Sequence, residues 1–172
     1  MVHCYDIKNS LDFFRKLFDE REDFLKDPAS ARYAINCAIT AWQLHDWVYQ
    51  ERDKYPFMSQ FKSKSDFRKY LYSKETYFRT IHDLADGSKH YQLTDRDTTI
   101  LDTYVSNWKS VNKVRQVSDV TPQLFLTMKF HDVGMRMTFH DLLYVITIFW
   151  YHFFKDDLKE DLNELFDYYT WF

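Results

Sequence analysis

The chain has 172 residues and a formal net charge of −3, long enough for one domain with a real core and too weakly cationic for a general nucleic-acid binder. Hydrophobic residues make up 45% and aromatic residues 20%, with 16 Phe, 13 Tyr and 5 Trp against 2 Gly and 3 Pro. That excludes a disordered chain and favours long helices with short connections over a Gly-rich sandwich or barrel.

At the start, Met1 to Asp6 lacks the basic and then apolar order of a secretion signal, so the expected location is the cytoplasm. Ser10 is a natural N-cap, and a first helix should run from there to just before Pro28. Leu11, Phe14, Leu17, Phe18, Phe24 and Leu25 share one face, with Asp12, Arg15, Glu20, Arg21 and Glu22 on the other. A second cap, Ser30, opens a helix from Ala31 to about Arg52. Its Ala34, Ile35, Cys37, Ala38, Ile39, Ala41, Trp42, Leu44, Trp47 and Val48 leave almost no polar face, so it should be central and wrapped by the others. Cys4 and Cys37 show neither metal spacing nor a disulfide framework, and Cys37 reads as a small core residue.

Pro56 ends that element, and residues 57–64 read as a connection. Ser65 is the expected cap of a short helix, Asp66 to Tyr72. Another helix is expected over Ser73 to Ala85, with Phe78, Ile81, Leu84 and Ala85 inward and Gly87 near its end. Residues 94–111 are ambiguous. Ile100, Leu101, Tyr104, Val105, Trp108 and Val111 recur with helical spacing, and Thr94 with Asp97 resembles a capping box. The Thr, Val and Tyr content favours strand, but the periodicity inclines the segment to helix.

After Pro122, Leu124, Leu126, Met128 and Phe130 alternate with Phe125, Thr127 and Lys129. His131 to Gly134 can turn, and Met135 to Thr138 would return antiparallel. Thr138 then begins the last helix with Asp141 as its reciprocal cap, and Leu142, Leu143, Ile146, Phe149, Trp150 and Phe153 form the buried stripe. That helix either continues through Leu158, Leu162, Leu165 and Phe166 or breaks near Asp156 and Asp157. The apolar stretch Leu142 to Phe154 is about 13 residues, short of the roughly 20 that span a bilayer, so no membrane partner is expected. The expected fold class is mainly α: a helical bundle with one short antiparallel β-hairpin at about residues 124–138, as a single domain over residues 1–172.

The most concentrated polar feature is the run from His82 to His90. On a continuous helix, His82, Asp86 and His90 lie at i, i+4 and i+8, placing two imidazoles around a carboxylate where they could hold a metal or share a proton. A solvated helix face explains the same spacing and is the favoured reading, because Gly87 threatens the continuity. No metal or cofactor is therefore predicted, with His82, Asp86 and His90 as the candidates should a metal bind.

A second feature combines Lys62, Lys64, Arg68, Lys69, Lys74 and Arg79 with Phe61, Phe67, Tyr70, Tyr72 and Tyr77. Cations with stacking rings suit an RNA backbone and unstacked bases. Asp156, Asp157, Glu160, Asp161, Glu164 and Asp167 offer an acidic counterpart, and pairing within the chain or across a homodimer is favoured over RNA. Gly-x-Ser-x-Gly and Gly-rich phosphate loops are lacking, and neither cysteine has an activating neighbour in sequence.

Four of the seven histidines precede Asp: His45-Asp46, His82-Asp83, His131-Asp132 and His140-Asp141. The doublets resemble those of helical metal-dependent phosphohydrolases, whose ligand clusters activate water. They depart from that pattern in lacking its apolar lead-in and Gly-Lys follow-up.

The run Ala38 to Val48, with Asp46-Trp47, and the later Ile81 to His90 resemble an uncharacterised group of small bacterial helical proteins. In that group one helix carries Asp-Trp and a later one Asp-x-Ala-Asn-x-x-Lys-His. Asp46, Trp47, Asp83, Ala85, Lys89 and His90 match, and Asp86 replaces the Asn. The closing hairpin and the helix with Trp150 also resemble its C-terminal part. The resemblance implies a fold and candidate positions, not an activity. A broader similarity is to helical domains of bacterial toxin–antitoxin and antiphage systems. Their ribonucleases resemble one another in an Arg followed by a His after four to six intervening residues, a spacing that Arg79 with His82 or His90 and Arg136 with His140 do not have.

Together these features lead to an expected binding or interaction module in a bacterial or phage setting, a homo-oligomer with a possible protein partner. Part of the aromatic content would lie at the interface. The expected binding residues are Asp46, Trp47, Lys62, Lys64, Arg68 and Lys69. The alternative is a metal- or His-dependent hydrolase or ribonuclease using His82, Asp83, Asp86, Lys89 and His90, with His82 and His90 as acid and base or as ligands.

Overall fold

The structure is a computed structural model that describes residues 6–88, 99–107, 124–130 and 136–163. Helix α1 (Ser10–Lys26) is capped not by Ser10 but by Asn9, whose side chain accepts the Asp12 N–H at 2.8 Å. Ser10 is instead buried, and its backbone N–H donates to Glu51 at 2.9 Å. Helix α2 (Ala31–Gln50) starts at Ser30 as expected, and the chain then tightens into 3₁₀ turns at Arg52–Lys54 and Pro56–Gln60. Helix α3 (Lys64–Lys74) begins earlier than expected. Ser63, rather than Ser65, accepts the Asp66 N–H at 3.1 Å and donates to the Asp66 carboxylate at 2.9 Å. Helix α4 (Tyr77–Gly87) ends at the glycine.

Residues 100–107 correct the helical expectation. Ile100–Asn107 is strand β1, antiparallel to β2 (Leu124–Phe130), which in turn pairs with β3 (Arg136–Thr138). The expected hairpin is therefore present as β2 and β3, with Met128 opposite Met137, and it belongs to a three-stranded sheet in the order β1-β2-β3. Thr94, Asp97, Trp108, Val111 and the expected turn at 131–134 lie outside the described residues.

Helix α5 (Phe139–His152) is capped by Thr138, which donates to Asp141 at 2.6 Å and accepts its N–H at 3.1 Å. The helix widens into a π turn at Phe153–Asp157 and then stops. Lys159 takes a left-handed φ of 61°, and the Glu160 N–H closes onto the Phe154 carbonyl at 3.0 Å. Of the two fates expected for this helix, the break is the one adopted. It delivers the Glu160 carboxylate to Lys54 Nζ at 2.6 Å and to the Tyr55 hydroxyl at 2.8 Å.

Buried side chains form one contiguous cluster running through all five helices and reaching Leu162. Ala38 and Ala41 keep α2 thin, so that α1, α3, α4 and α5 all reach it. Trp150 is fully buried and spends its indole N–H on the Ala41 carbonyl at 3.2 Å. Phe14 stacks on Phe154 at 4.9 Å, and Phe78 meets Trp150 edge-on at 5.5 Å. Such ring pairs add to the transfer energy of their burial. Most described aromatic side chains thus pack in or against the interior, and Tyr144 is the only exposed one among those described. No described helix is long and apolar enough to cross a membrane.

Candidate functional site

Helical periodicity puts Trp42 and Asp46, and likewise Gln43 and Trp47, one turn apart on α2. These four residues, with Arg68 of α3 and His82 and Asp86 of α4, line an open pocket of about 420 Å³. Trp42 is its floor. It is 4% exposed, and His82 stacks on it at 4.1 Å with 21° between the ring planes, while the Arg68 guanidinium lies 5.6 Å from its ring centre.

Behind the floor, His45 is fully buried and faces Trp42 at 4.2 Å. Burial holds its pKa down to about 4, against a weaker upward pull from the Trp42 carbonyl and from Asp46. The ring is therefore neutral at pH 7. Its Nδ1–H donates to the Trp42 carbonyl, which leaves Nε2 as the lone pair that accepts Arg68 Nε–H at 2.7 Å. Asp46 Oδ1, 3.2 Å from that same Nε2, is consequently not held by an imidazolium. It is enclosed without an aligned hydrogen bond and is held by charge, with Lys64 Nζ at 2.7 Å and Arg68 Nη2 at 3.7 Å. A neutral histidine thus aims a cation at the pocket, and that cation helps to hold a carboxylate at its edge.

On α4, His82 is held at both nitrogens. Tyr72 meets Nδ1 at 2.6 Å, and Asp86 Oδ2 lies 3.0 Å from Nε2. Tyr72 stands outside the pocket lining, whereas Asp86 is part of it. A hydroxyl, an imidazole and a carboxylate in line can orient an imidazole and pass a proton.

The expected site residues separate into three groups. Asp46, Trp47, Arg68, His82 and Asp86 come together at the pocket, with Lys64 paired to Asp46 beside it. Asp83 faces elsewhere: it is 6% exposed and accepts the Thr99 N–H at 2.7 Å and the Thr99 hydroxyl at 2.8 Å, tying α4 to the start of β1. Lys62 and Lys69 are exposed on or beside α3, Lys69 being 3.9 Å from Asp66. Lys89 and His90 lie outside the described residues.

Sequence reasoning misses Trp42 and Gln43 as site residues, and reaches His45 only through a His-Asp doublet and Tyr72 only as one of the rings beside the basic run. The turn-by-turn spacing of Trp42 with Asp46 and of Gln43 with Trp47 was the available signal.

The described His-Asp doublets do not share one centre. His45 and His82 both touch Trp42, but Asp83 turns to Thr99, and Asp141 serves as a cap. Among the described residues, no group of three or more His, Cys, Asp or Glu is placed to hold a metal ion. The charge blocks meet in part: Lys74 pulls on the Asp157 carboxyl, while Glu164 and Asp167 lie outside the described residues. Lys64 and Arg68 turn to Asp46, Glu160 meets Lys54, and Asp156 meets His152 at 3.0 Å. Comparison of the chain with protein-family models, with curated proteins and with solved structures finds no match.

Proposed function

We propose that this protein is a binding module whose ligand is a small polar molecule seated between α2, α3 and α4. The observation that carries this is the convergence of Asp46, Arg68, His82 and Asp86, from three helices, on one open pocket of about 420 Å³. Ligand sites of this kind combine a concave shape with a few convergent polar groups on a rigid frame. Here the frame is the Trp42 stack, and burial of His45 sets the direction of Arg68. A thermal-shift and ligand-observed NMR screen of amino acids, nucleotides, sugar phosphates and short peptides tests the proposal. Gln43→Arg, at a half-buried pocket position, fills the space without touching the core. Compounds that bind the wild type and are lost from this variant support the pocket. Compounds that bind both equally contradict it.

Self-association is a separate element of the proposal, resting on the exposed Ile35 and Tyr144. Light scattering that gives one chain's mass, 21.2 kDa, at every concentration would remove it.

A second reading, an acid–base hydrolase or ribonuclease, is favoured by the Tyr72–His82–Asp86 line. In it, His82 exchanges a proton with a bound phosphoester or RNA. Cleavage that disappears in His82→Ala would support it. Intact substrates after prolonged incubation, with and without divalent metal, would count against it.

A further inference from the structure

The pocket also constrains the kind of ligand, an inference that rests on the binding-module proposal above. Asp46 turns Oδ1 toward Lys64 and Arg68, while Oδ2 meets no partner among the described residues. Arg68 commits Nε to His45, which leaves its terminal nitrogens as donors at the pocket wall. Gln43 and Trp47 line the same space. Both signs of charge, with donors and acceptors, therefore stand within one small space.

A phosphate would face two carboxylates, Asp46 and Asp86, with a single guanidinium that already leans on Asp46. Like-charge repulsion at a partly desolvated site works against it. A simple cation could reach Asp46 Oδ2 but would face the charges of Lys64 and Arg68 with nothing to offer them. A ligand carrying a carboxylate and an ammonium a few ångströms apart sets each end against the opposite charge. Its carboxylate suits the planar fork of Arg68. Its ammonium suits Asp46 Oδ2, with Asp86 adding to the negative field. Trp42 is covered by His82 and Arg68, so the apolar surface left for whatever the zwitterion carries is that of the half-buried Trp47. We propose that the pocket binds a free α-amino acid with an apolar side chain, recognised through both of its charged ends.

Calorimetry with leucine and phenylalanine, their N-acetyl and amide derivatives, adenosine and guanosine monophosphates and inorganic phosphate tests this. One of the two amino acids should bind, and blocking either end should weaken it by about tenfold or more, the usual consequence of losing one partner of a charged contact. Asp46→Asn should produce a loss of similar size. Its melting temperature and circular dichroism report whether the fold is kept, and Gln43→Leu offers a second, uncharged change at the wall should Asp46→Asn unfold. Equal binding of blocked and free forms would overturn recognition of a zwitterion. Binding of a nucleotide or phosphate in place of the amino acids, lost in Gln43→Arg, would overturn the amino-acid assignment while leaving the pocket as the binding site. Failure of both amino acids at millimolar concentration overturns the assignment as well, and the wider screen then judges the pocket separately.

Discussion

Lowering the pH from 7 to 5 should cost the fold about 2 kcal/mol through His45 alone. The group has an ordinary pKa of 6.5 and is held at about 4 when buried beside Trp42. Between those values the unfolded chain binds a proton that the folded chain refuses, so stability is full above the unfolded pKa and falls as the pH drops toward the folded one. The ratio of the two binding polynomials at pH 5 gives about 2 kcal/mol, and the full separation of the two values gives about 3 kcal/mol below pH 4. Urea unfolding of the wild type and of His45→Gln at pH 7 and pH 5 isolates the contribution. The variant keeps an amide oxygen that can accept from Arg68 but has no ring to protonate, so its stability should fall less on acidification by about 2 kcal/mol. Ring-proton NMR of His45 in the folded protein checks the cause directly. Equal acid sensitivity in the two proteins, or a His45 midpoint near 6.5, would refute the placement of a neutral imidazole behind the pocket.

Asp83→Ala should destabilise the protein by about 2 kcal/mol, because the Thr99 N–H and hydroxyl lose their shared acceptor. Pocket affinity in the folded fraction should be unchanged, and chemical denaturation with calorimetry reads both. Lys159→Gly should raise stability by up to about 1 kcal/mol, since the residue holds a left-handed φ of 61° that glycine adopts without a Cβ clash. A lower melting temperature would show that the left-handed stop is not in place. Glu160→Gln should cost about 1 kcal/mol, discounted because Lys54 is half-exposed. Lys54 and Tyr55 hold the Glu160 pKa below its ordinary value despite the opposing effect of burial. The wild type should therefore lose this contribution as the pH falls below the usual carboxylate range, and the variant should not.

Much of the helical frame was legible because its signals are local. Ser30 and Thr138 cap where a hydroxyl precedes an apolar run, and the nearly all-apolar α2 is central because no polar face was available to turn outward. The first cap and the α3 cap were each misplaced, by one and two residues. Neighbouring Asn9 and Ser10, or Ser63 and Ser65, offer equivalent side chains, and tertiary contacts choose between them. Strand β1 was misread for a related reason. The register shifts between Ile100 and Asp102, so two residues there oppose one on β2. A bulge of this kind interrupts alternation and leaves the adjacent apolar pair Ile100-Leu101 looking helical. Pairing with a strand whose partner residues lie 17 to 30 positions further on then overrides the local pattern.

The candidate site was legible in part. Asp46 enters through the Asp-Trp resemblance, and the His82–Asp86 pair follows from helical spacing. The separation of His82 from its neighbour Asp83, and the roles of His45 and Tyr72 behind the pocket, depend on how α2, α3 and α4 meet, which a single helix pattern does not encode.

A heteronuclear NMR spectrum that follows the Trp47 indole N–H, the Gln43 amide and Arg68 Nε–H during addition of a ligand from the screen tests the central claim most directly. If α2, α3 and α4 enclose the binding site, these three side-chain signals should move together and saturate with one affinity, while the Trp150 indole in the core stays still. Saturating shifts confined to the lysines on the outer side of α3 or to the sheet, with those three signals unmoved, would contradict it.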